Sequence, residues 1–233
     1  MLKPQENIPT HIAIIMDGNR RWARAHNLPP EKGHEAGTEA LEKIVEAAEK
    51  MGVKTLTVYA LSTENLQDRA KRELKALFNI MRRGYHKKLK KMMKNGVKIN
   101  VLGELEGLPF AIRKMIESLK NTYIQNESIK LNIALNYGGK RELLEAVKEL
   151  IKDGIDINKI NEGEVDRRLY TNGQPNPELV IRTGGRIRLS NFLLWQTAYS
   201  ELYFSKKLWP DFGPSDLKKA ILWYQTQQRN FGK

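Results

Sequence analysis

The chain has 233 residues, with 40 lysines and arginines against 27 aspartates and glutamates, a formal net charge of +13. Because it contains no cysteine, disulfide frameworks and thiolate chemistry are excluded, and no apolar run is long enough to cross a bilayer. The polar residues 1–9 lack the apolar stretch of a signal peptide, so a cytoplasmic protein is expected. The positive charge predicts an anionic partner: nucleic acid, an anionic membrane face or phosphorylated metabolites.

Short apolar runs rich in β-forming residues alternate with segments of helical periodicity along the chain. The expected strands are residues 11–17, 54–61, 97–102, 130–136, 179–182 and 202–204. The expected helices are residues 38–51, 73–94, 110–123, 140–152 and about 215–228. This alternation predicts an α/β fold, with residues 1–233 forming a single domain. Its central sheet is expected to be mostly parallel, with about six strands and helices on both faces.

The loops that follow the strands carry the chemistry-bearing residues, and ligands of parallel sheets bind at that edge. Three of these loops contain glycine: residues 17–22 (DGNRRW), 137–142 (YGGKRE) and 182–188 (RTGGRIR); a fourth is residues 62–65 (STEN). Glycine lets backbone N–H groups approach an anion, and arginine adds a fork of donors suited to phosphate oxygens. Ordinary β-to-α turns are the alternative. The presence of Arg21, Arg182 and Arg188 favours an anion site, and the 137–142 turn is the weakest of the set.

Two carboxylates and one histidine have both a functional and a structural interpretation. Asp17 ends an apolar strand, where it could hold Mg²⁺ against a diphosphate or simply cap a helix. Glu201 lies in the mostly apolar segment 192–204, either as a metal ligand or as a glutamate at the edge of the sheet. His34 precedes a predicted helix and could donate to a phosphate oxygen or serve a structural role.

Several classes of protein are excluded on their motifs. There is no DDxxD run of the all-helical prenyl-chain enzymes, no zinc-type spacing of Cys and His, and no aromatic RNA-binding signature.

At these loops the sequence resembles the cis-prenyltransferase (undecaprenyl diphosphate synthase) family over nearly its whole length. The segments that carry the resemblance are residues 11–23 (HIAIIMDGNRRWA), 33–37 (GHEAG), 59–65 (YALSTEN), 135–142 (LNYGGKRE), 177–204 (PELVIRTGGRIRLSNFLLWQTAYSELYF) and 208–212 (LWPDF). They occur in the family's order and spacing. The resemblance implies a Mg²⁺-dependent enzyme that extends an allylic prenyl diphosphate, such as farnesyl diphosphate, with isopentenyl diphosphate to a cis-polyprenyl diphosphate.

The resemblance also implies roles for individual residues. Asp17 would be the essential aspartate that engages Mg²⁺, with Glu201 as a second ligand, and Asn65 would serve proton removal. The residues implied for the allylic diphosphate are Gly18, Asn19, Arg20, Arg21, Trp22 and His34. Those implied for the condensation loop are Ser62, Thr63 and Glu64, and those for isopentenyl diphosphate are Arg182, Arg188, Leu189 and Ser190. The apolar stripe of residues 73–94 is a candidate wall for the product tail, or simply core.

The sequence departs from the family pattern at a few positions. The family's Trp and Arg after the STEN loop are replaced by Leu66 and Asp68, with Arg69 one place later. Other departures are Pro30 (with Lys32 near it), Arg186 and Ile187, and Asn230 in the C-terminal Arg-x-Gly pattern, where Arg229 precedes it. These departures concern diphosphate binding and leave the reaction class intact.

Two other functions compete with this hypothesis. A nucleic-acid-binding protein is suggested by the charge and by the run Arg82, Arg83, Lys87, Lys88, Lys90, Lys91 and Lys94, which we interpret as one solvated helix face, suited also to peripheral contact with anionic lipid. A non-catalytic partner subunit of a heteromeric prenyltransferase would be expected to lose Asp17, Asn19, Arg21 and Asn65, all of which are present. No nucleic-acid partner is expected. A homodimer is expected through the apolar segment 192–204, where the family also pairs.

Overall fold

The computed structural model describes residues 7–68, 70–84 and 88–227. The strands are β1 (His11–Ile15), β2 (Thr55–Ser62), β3 (Val97–Leu102), β4 (Ile129–Tyr137), β5 (Leu179–Arg182) and β6 (Glu201–Phe204). The helices are α1 (Asn19–Ala25), α2 (Pro30–Lys50), α3 (Thr63–Asp68), α4 (Lys71–Gly84), α5 (Lys90–Lys94), α6 (Phe110–Lys120), α7 (Gly139–Lys152), α8 (Glu162–Asp166) and α9 (Pro214–Gln225). Two single 3₁₀ turns cover Ile157–Lys159 and Trp209–Asp211.

The six strands form one sheet in the order β3-β4-β2-β1-β5-β6, and every neighbouring pair is parallel. This confirms the predicted parallel sheet. From β1 the chain moves to β2 on one side, whereas β5 and β6 lie on the other side of β1. The strand order therefore reverses between β1 and β5, and a crevice opens beyond their carboxyl ends.

Both faces of the sheet are covered, which explains why the strands are continuous apolar runs. All five residues of β1 are buried. Ile12 and Ile14 pack on one face with residues of α2 and α9, such as Ile44 and Leu217. Ala13 and Ile15 pack on the other face with the segment after β5, where Phe192 is fully buried.

Three short helices were not predicted. Helix α1 has only seven residues and begins directly after Gly18, whose φ of 122° suits glycine; α3 and α8 have six and five residues. Such short segments show no sustained apolar period, so the sequence pattern misses them. In the region of the helix expected over residues 73–94, the structure describes α4 up to Gly84 and α5 from Lys90, and residues 85–87 lie outside the described residues.

His11 is buried in a chain of polar side chains inside the sheet. Its Nδ1–H donates to the Pro175 carbonyl at 2.7 Å, and its Nε2 accepts from the Thr57 hydroxyl at 2.7 Å. The same hydroxyl oxygen accepts from the Asn132 amide at 2.9 Å. A neutral imidazole satisfies this arrangement, and burial lowers the pKa of His11 to about 4.

We expect the free energy of unfolding to fall as the pH drops from 6.5 to 4, because the unfolded chain takes up a proton at His11 that the folded chain refuses. Because the pKa of His11 is lowered in the folded chain, the free energy of unfolding decreases with falling pH, by about 2–3 kcal/mol over this window. Urea unfolding at pH 7, 6 and 5 measures it. His11→Gln should flatten the pH slope; an equal slope in His11→Gln and the wild type would contradict the assignment.

Candidate active site

Asp17 follows the carboxyl end of β1 and is held by two arginines from different elements. Its Oδ1 accepts from Arg21 on α1 at 3.0 Å, and its Oδ2 accepts from Arg182 at the end of β5 at 3.0 Å. Its backbone carbonyl accepts from the Thr183 hydroxyl at 2.8 Å and from the Trp209 backbone N–H at 3.0 Å. The carboxylate is therefore fixed at the crevice where the strand order reverses, and its side chain remains 29% exposed.

Arg182 connects this carboxylate to the loop after β5. Its side chain is only 5% exposed, and beyond Asp17 it donates to the Arg188 carbonyl at 2.5 Å and to the Ser190 hydroxyl at 2.8 Å. Arg188 is exposed, and its Nε donates to the same hydroxyl at 3.2 Å. The register of β5 aligns Arg182 with Ile15, which explains why its guanidinium meets Asp17. In this arrangement Arg182 positions the loop, and Arg188 presents an accessible guanidinium.

The glycine turns were expected to offer backbone N–H groups to an anion, and two of them use these groups internally. The N–H groups of Gly184 and Gly185 donate to the carbonyls of Lys207 and Ser205, and the N–H of Gly139 donates to the Asn191 carbonyl. Glycine is required at 184 for another reason: φ is +82°, and a Cβ would lie 2.4 Å from an Arg21 nitrogen. The side chains, more than these turns, provide the anion-binding groups.

The first loop and α1 form a basic pocket of about 310 Å³ beside Asp17. It is lined by Met16, Asp17, Gly18, Asn19, Arg20, Arg21, Arg24 and His34. Six of these eight were expected to bind diphosphate or metal. Arg24 was not: it lies on α1, one turn after Arg20 and Arg21, and the i, i+3 and i, i+4 spacing of these arginines was the missed signal.

Trp22 was expected alongside the diphosphate, and it is absent from this pocket. Its indole N–H donates to Asp211 at 2.7 Å, and its ring packs on His26 with centroids 4.1 Å apart. Trp22 therefore anchors α1 to the turn Trp209–Asp211.

Asn191, which sequence reasoning did not select, joins three of the chemistry-bearing loops. Its amide nitrogen donates to Glu64 at 2.8 Å, and its Oδ1 accepts from the Lys140 backbone N–H at 2.9 Å. Ser62 accepts from the Asn65 backbone N–H at 3.1 Å and thereby starts α3, which leaves Thr63, Glu64 and Asn65 on its first turn. Burial opposes ionisation of Glu64, but hydrogen bonds, including that from Asn191, hold its pKa below the ordinary value. The loops at 62–65, 138–142 and 182–191 thus form one connected edge.

An apolar cavity of about 130 Å³ runs from this edge between the sheet and the helices α2, α4, α5 and α6. Met16, Asn19 and His34 line both the basic pocket and this cavity, so a charged head and an apolar tail can occupy adjoining spaces. The predicted wall is divided: Leu77, Met81, Leu89 and Met92 line the cavity, whereas Leu74 and Phe78 face the groove between α4 and α6. Of the residues expected at the site, Leu189 is half-buried and packs on the other face of the sheet.

Glu201 lies far from Asp17 within one chain. It begins β6 and pairs with Leu179, whereas Arg182, which binds Asp17, pairs with Phe204 at the other end of that strand. Three residues of parallel strand span about 10 Å, so the two predicted metal ligands occupy opposite ends of the sheet. Among the described residues, no group of three His, Asp or Glu side chains is arranged to hold a metal ion.

Comparison with known proteins identifies the family. Residues 15–232 match the prenyltransferase family model for undecaprenyl diphosphate synthase. The chain belongs to the undecaprenyl diphosphate synthase family. An isoprenyl transferase of Clostridium tetani is 45% identical over 231 residues, which are 97% of this chain and 90% of that protein. The (2E,6E)-farnesyl-diphosphate-specific ditrans,polycis-undecaprenyl-diphosphate synthase of Pasteurella multocida is 42% identical over 230 residues. These residues are 97% of this chain and 95% of that protein.

A solved structure of lavandulyl diphosphate synthase from Lavandula x intermedia, in complex with dimethylallyl diphosphate, shares the fold of this prenyltransferase. The two superpose with a TM-score of 0.93 at 33% identity, covering 98% of this chain and all of the other. The fold and the enzyme class expected from the sequence are thereby confirmed, and the match favours a transferase over the nucleic-acid-binding alternative.

The departures of this prenyltransferase from its family pattern occupy distinct surroundings. Pro30 begins α2, a position where its fixed φ suits the first helical turn. Leu66 packs partly buried in the cluster under α4 and α6, whereas Asp68 is exposed. Arg186 and Ile187 are exposed on the loop after β5. Arg69 and the C-terminal pattern of Arg229 and Asn230 lie outside the described residues.

Proposed function

We propose that this prenyltransferase joins isopentenyl diphosphate to an allylic prenyl diphosphate, such as farnesyl diphosphate, and releases diphosphate to give a cis-polyprenyl diphosphate. One observation carries the proposal: the basic pocket around Asp17 opens through Met16, Asn19 and His34 into an apolar cavity. This pairing of spaces suits a ligand with an anionic head and a long apolar tail. The activities of the similar proteins from Clostridium tetani and Pasteurella multocida support the same chemistry.

In the proposed reaction the allylic C–O bond breaks, and its electron pair leaves with the diphosphate. Arg21 and Arg24 lie where this negative charge grows, so they stabilise it more than they stabilise the substrate. The double bond of isopentenyl diphosphate forms the new C–C bond, with its diphosphate held by Arg188 and Ser190. The cation that this bond formation leaves then loses one proton, which forms the double bond of the product.

Asn65 is proposed to orient the proton-removal step. An amide oxygen accepts hydrogen bonds but is a poor base, so the proton must pass to a stronger acceptor. The departed diphosphate is chemically competent for this. Holding both substrates on one edge of the sheet converts a bimolecular reaction into an effectively unimolecular one.

Mg²⁺ is the proposed cofactor, and Asp17 is the residue that would hold it. A single fixed carboxylate beside arginines fits the preference of Mg²⁺ for one or two carboxylates combined with phosphate oxygens and water. When bound, the ion supplies charge neutralisation for the leaving diphosphate. Glu201 of the same chain does not fit this set, because it lies at the other end of the sheet.

The experiment that tests the function is incubation of the purified protein with radiolabelled isopentenyl diphosphate, Mg²⁺ and one of three starters of increasing length, followed by sizing of the products. Label in extended prenyl products is expected, and its loss with EDTA and return with Mg²⁺ would support the cofactor. A protein that elongates no starter would contradict the proposal and favour the non-catalytic subunit.

We propose a homodimer that uses the outer face of α7. Leu144, Val147 and Ile151 are 60%, 48% and 75% exposed and lie on one face of this helix. In the segment 192–204, Phe192 and Leu193 are buried within the chain and cannot mediate pairing, whereas Tyr199 is 77% exposed. The expected pairing region therefore extends from the end of that segment to α7.

The wild type should sediment as a dimer at micromolar concentration, and the double variant Leu144→Glu/Ile151→Glu as a folded monomer, because two charges would be buried at the interface. Phe110→Glu is the matched control: Phe110 is a 64% exposed apolar residue on α6, so its replacement should leave the dimer intact. A monomeric wild type would contradict the proposal.

We also propose peripheral contact with anionic lipid, within a cytoplasmic location. Among the described residues, no helix has both the length and the apolarity to cross a bilayer. Most of the basic run is exposed, with Lys88 partly buried, and Arg83, Lys88 and Lys91 form ion pairs with Glu35 and Glu42 of α2. Lys87 lies outside the described residues. Cosedimentation with anionic vesicles but not neutral ones would support the contact, and equal binding to both would contradict it.

A further inference from the structure

The ion pairs between α2 and the segment after α4 border the apolar cavity, and we propose that they set the length of the product. The pairs are Glu42 with Lys88 and Glu42 with Lys91. We call them the seam pairs, because they join α2 to Lys88 and to Lys91 at the start of α5. The inference rests on the proposed function and adds to it the residues that select chain length.

The cavity wall is formed by apolar residues on both sides of this line. Helix α2 contributes Thr38 and Leu41, and α4 and α5 contribute Met81, Gly84 and Met92. Gly84 approaches α2 closely, since a Cβ there would lie 3.6 Å from the Thr38 methyl. A prenyl tail in this cavity is thus separated from solvent by two helices in side-by-side contact.

Lys88 is the one lysine, arginine, aspartate or glutamate that lines the cavity in the described part of the chain. Its side chain is 19% exposed, and its Nζ lies 3.4 Å from Glu42 Oε2. A lysine can place its methylene groups along an apolar wall while its ammonium group reaches a polar partner. Lys88 therefore belongs to the cavity wall and to the seam at the same time.

Glu42 is the centre of the seam. Its Oε1 lies 3.1 Å from Lys91 Nζ, and its Oε2 faces Lys88. Each carboxylate oxygen therefore binds one lysine at or just before the start of α5. Burial opposes its ionisation, but the two lysines keep the pKa of Glu42 below its ordinary value. Glu35 lies seven residues earlier, on the same face of α2, and binds Arg83 at 2.8 Å. Two acids of α2 thus attach the end of α4 and the start of α5.

Growth of the prenyl tail pushes against the contact between α2 and the start of α5. Each condensation adds five carbons, and the cavity has a volume of about 130 Å³. Once the tail has filled the space down to Met92 and Leu119, further growth requires α2 and α5 to separate. Separation breaks the seam pairs, so their strength adds to the resistance that stops elongation. Removing them should let the tail grow further before release.

The test is product sizing with Glu42→Gln and Lys88→Met, each near-isosteric and without the pair. The share of products longer than the main wild-type product should rise roughly two- to fivefold, the change expected from one partly buried ion pair at the surface. The triple reversal Glu42→Lys/Lys88→Glu/Lys91→Glu should restore most of the wild-type distribution, because it forms both pairs again with the charges exchanged. Raising the salt concentration should lengthen wild-type products in the same direction.

Lys98→Met is the matched control, because Lys98 forms a comparable pair with Glu127 at 3.6 Å and lines no part of the cavity. Thermal melting checks that all variants are folded. If the wild type elongates but the seam variants give unchanged or shorter products, or if Lys98→Met lengthens them equally, the inference is overturned. A wild type that makes no product refutes the proposed function instead, so the two failures are distinguishable.

Discussion

Replacing Asp17 by alanine is expected to lower kcat by about 100- to 1,000-fold, the scale seen when a preorganised electrostatic group is removed from an active site. Asp17 is the one carboxylate of the basic pocket, and it aligns Arg21 with Arg182. Its loss removes the proposed metal ligand and leaves two guanidinium groups without their shared partner. Steady-state turnover at saturating substrates and Mg²⁺ measures the effect.

Stability must be separated from catalysis in this experiment. Because Arg182 is nearly buried, Asp17→Ala should also cost about 1–3 kcal/mol of unfolding free energy. Asp17→Asn removes the charge but keeps an acceptor for one of the two arginines, so it should lose less stability than Asp17→Ala and still lose most activity. Asp153→Ala is the matched control, since Asp153 pairs with the mostly buried Arg168 beyond the end of α7. Near-normal turnover of Asp17→Asn would refute the role given to this carboxylate.

Arg188→Ala is expected to raise the KM for isopentenyl diphosphate roughly tenfold to a hundredfold, with a much smaller change in the KM for the allylic starter. A charged hydrogen bond is worth about 1.5–3 kcal/mol, which corresponds to this range. Arg188 is exposed on the loop after β5, and its guanidinium lies beside the Ser190 hydroxyl. Initial rates with each substrate varied in turn provide both constants.

Arg21→Ala should instead weaken the starter or slow ionisation, because Arg21 lines the basic pocket on the other loop. Arg21 also donates to the Gly184 carbonyl at 2.7 Å, so a small effect on isopentenyl diphosphate is expected as well. Lysine at either position should rescue only partly, since it keeps the charge and loses the fork of donors. Arg167→Ala, which removes an exposed arginine paired with Glu164, should change neither constant. Equal effects of both variants on both constants would refute separate sites.

Local patterns were sufficient for much of the fold. The buried strands are continuous apolar runs because both faces of the sheet are covered, and the long helices carry a clear apolar period. The motifs at 17–22 and 182–188 indicated an anion site because both follow strands, and the ends of parallel strands meet at one edge.

Other features depend on registers and contacts between distant segments, which no local pattern encodes. Arg182 and Arg188 are six residues apart and could both reach one anion, yet the pairing of β5 with β1 directs Arg182 onto Asp17. The pairing of β5 with β6 places Glu201 at the opposite end of the sheet. Asn191 gained its role only because its loop returns beside α3 and α7.

By itself, the sequence determined the fold class, the family and the residue types of the site, because these depend on periodicity and on motifs that follow strands. Only the tertiary structure decided that Arg182 holds the loop while Arg188 is exposed, which side of α4 lines the cavity, and that Glu42 pairs with the cavity-lining Lys88. The physical reason is that such contacts join residues far apart in the chain, and their geometry is set by the packing of whole helices on the sheet.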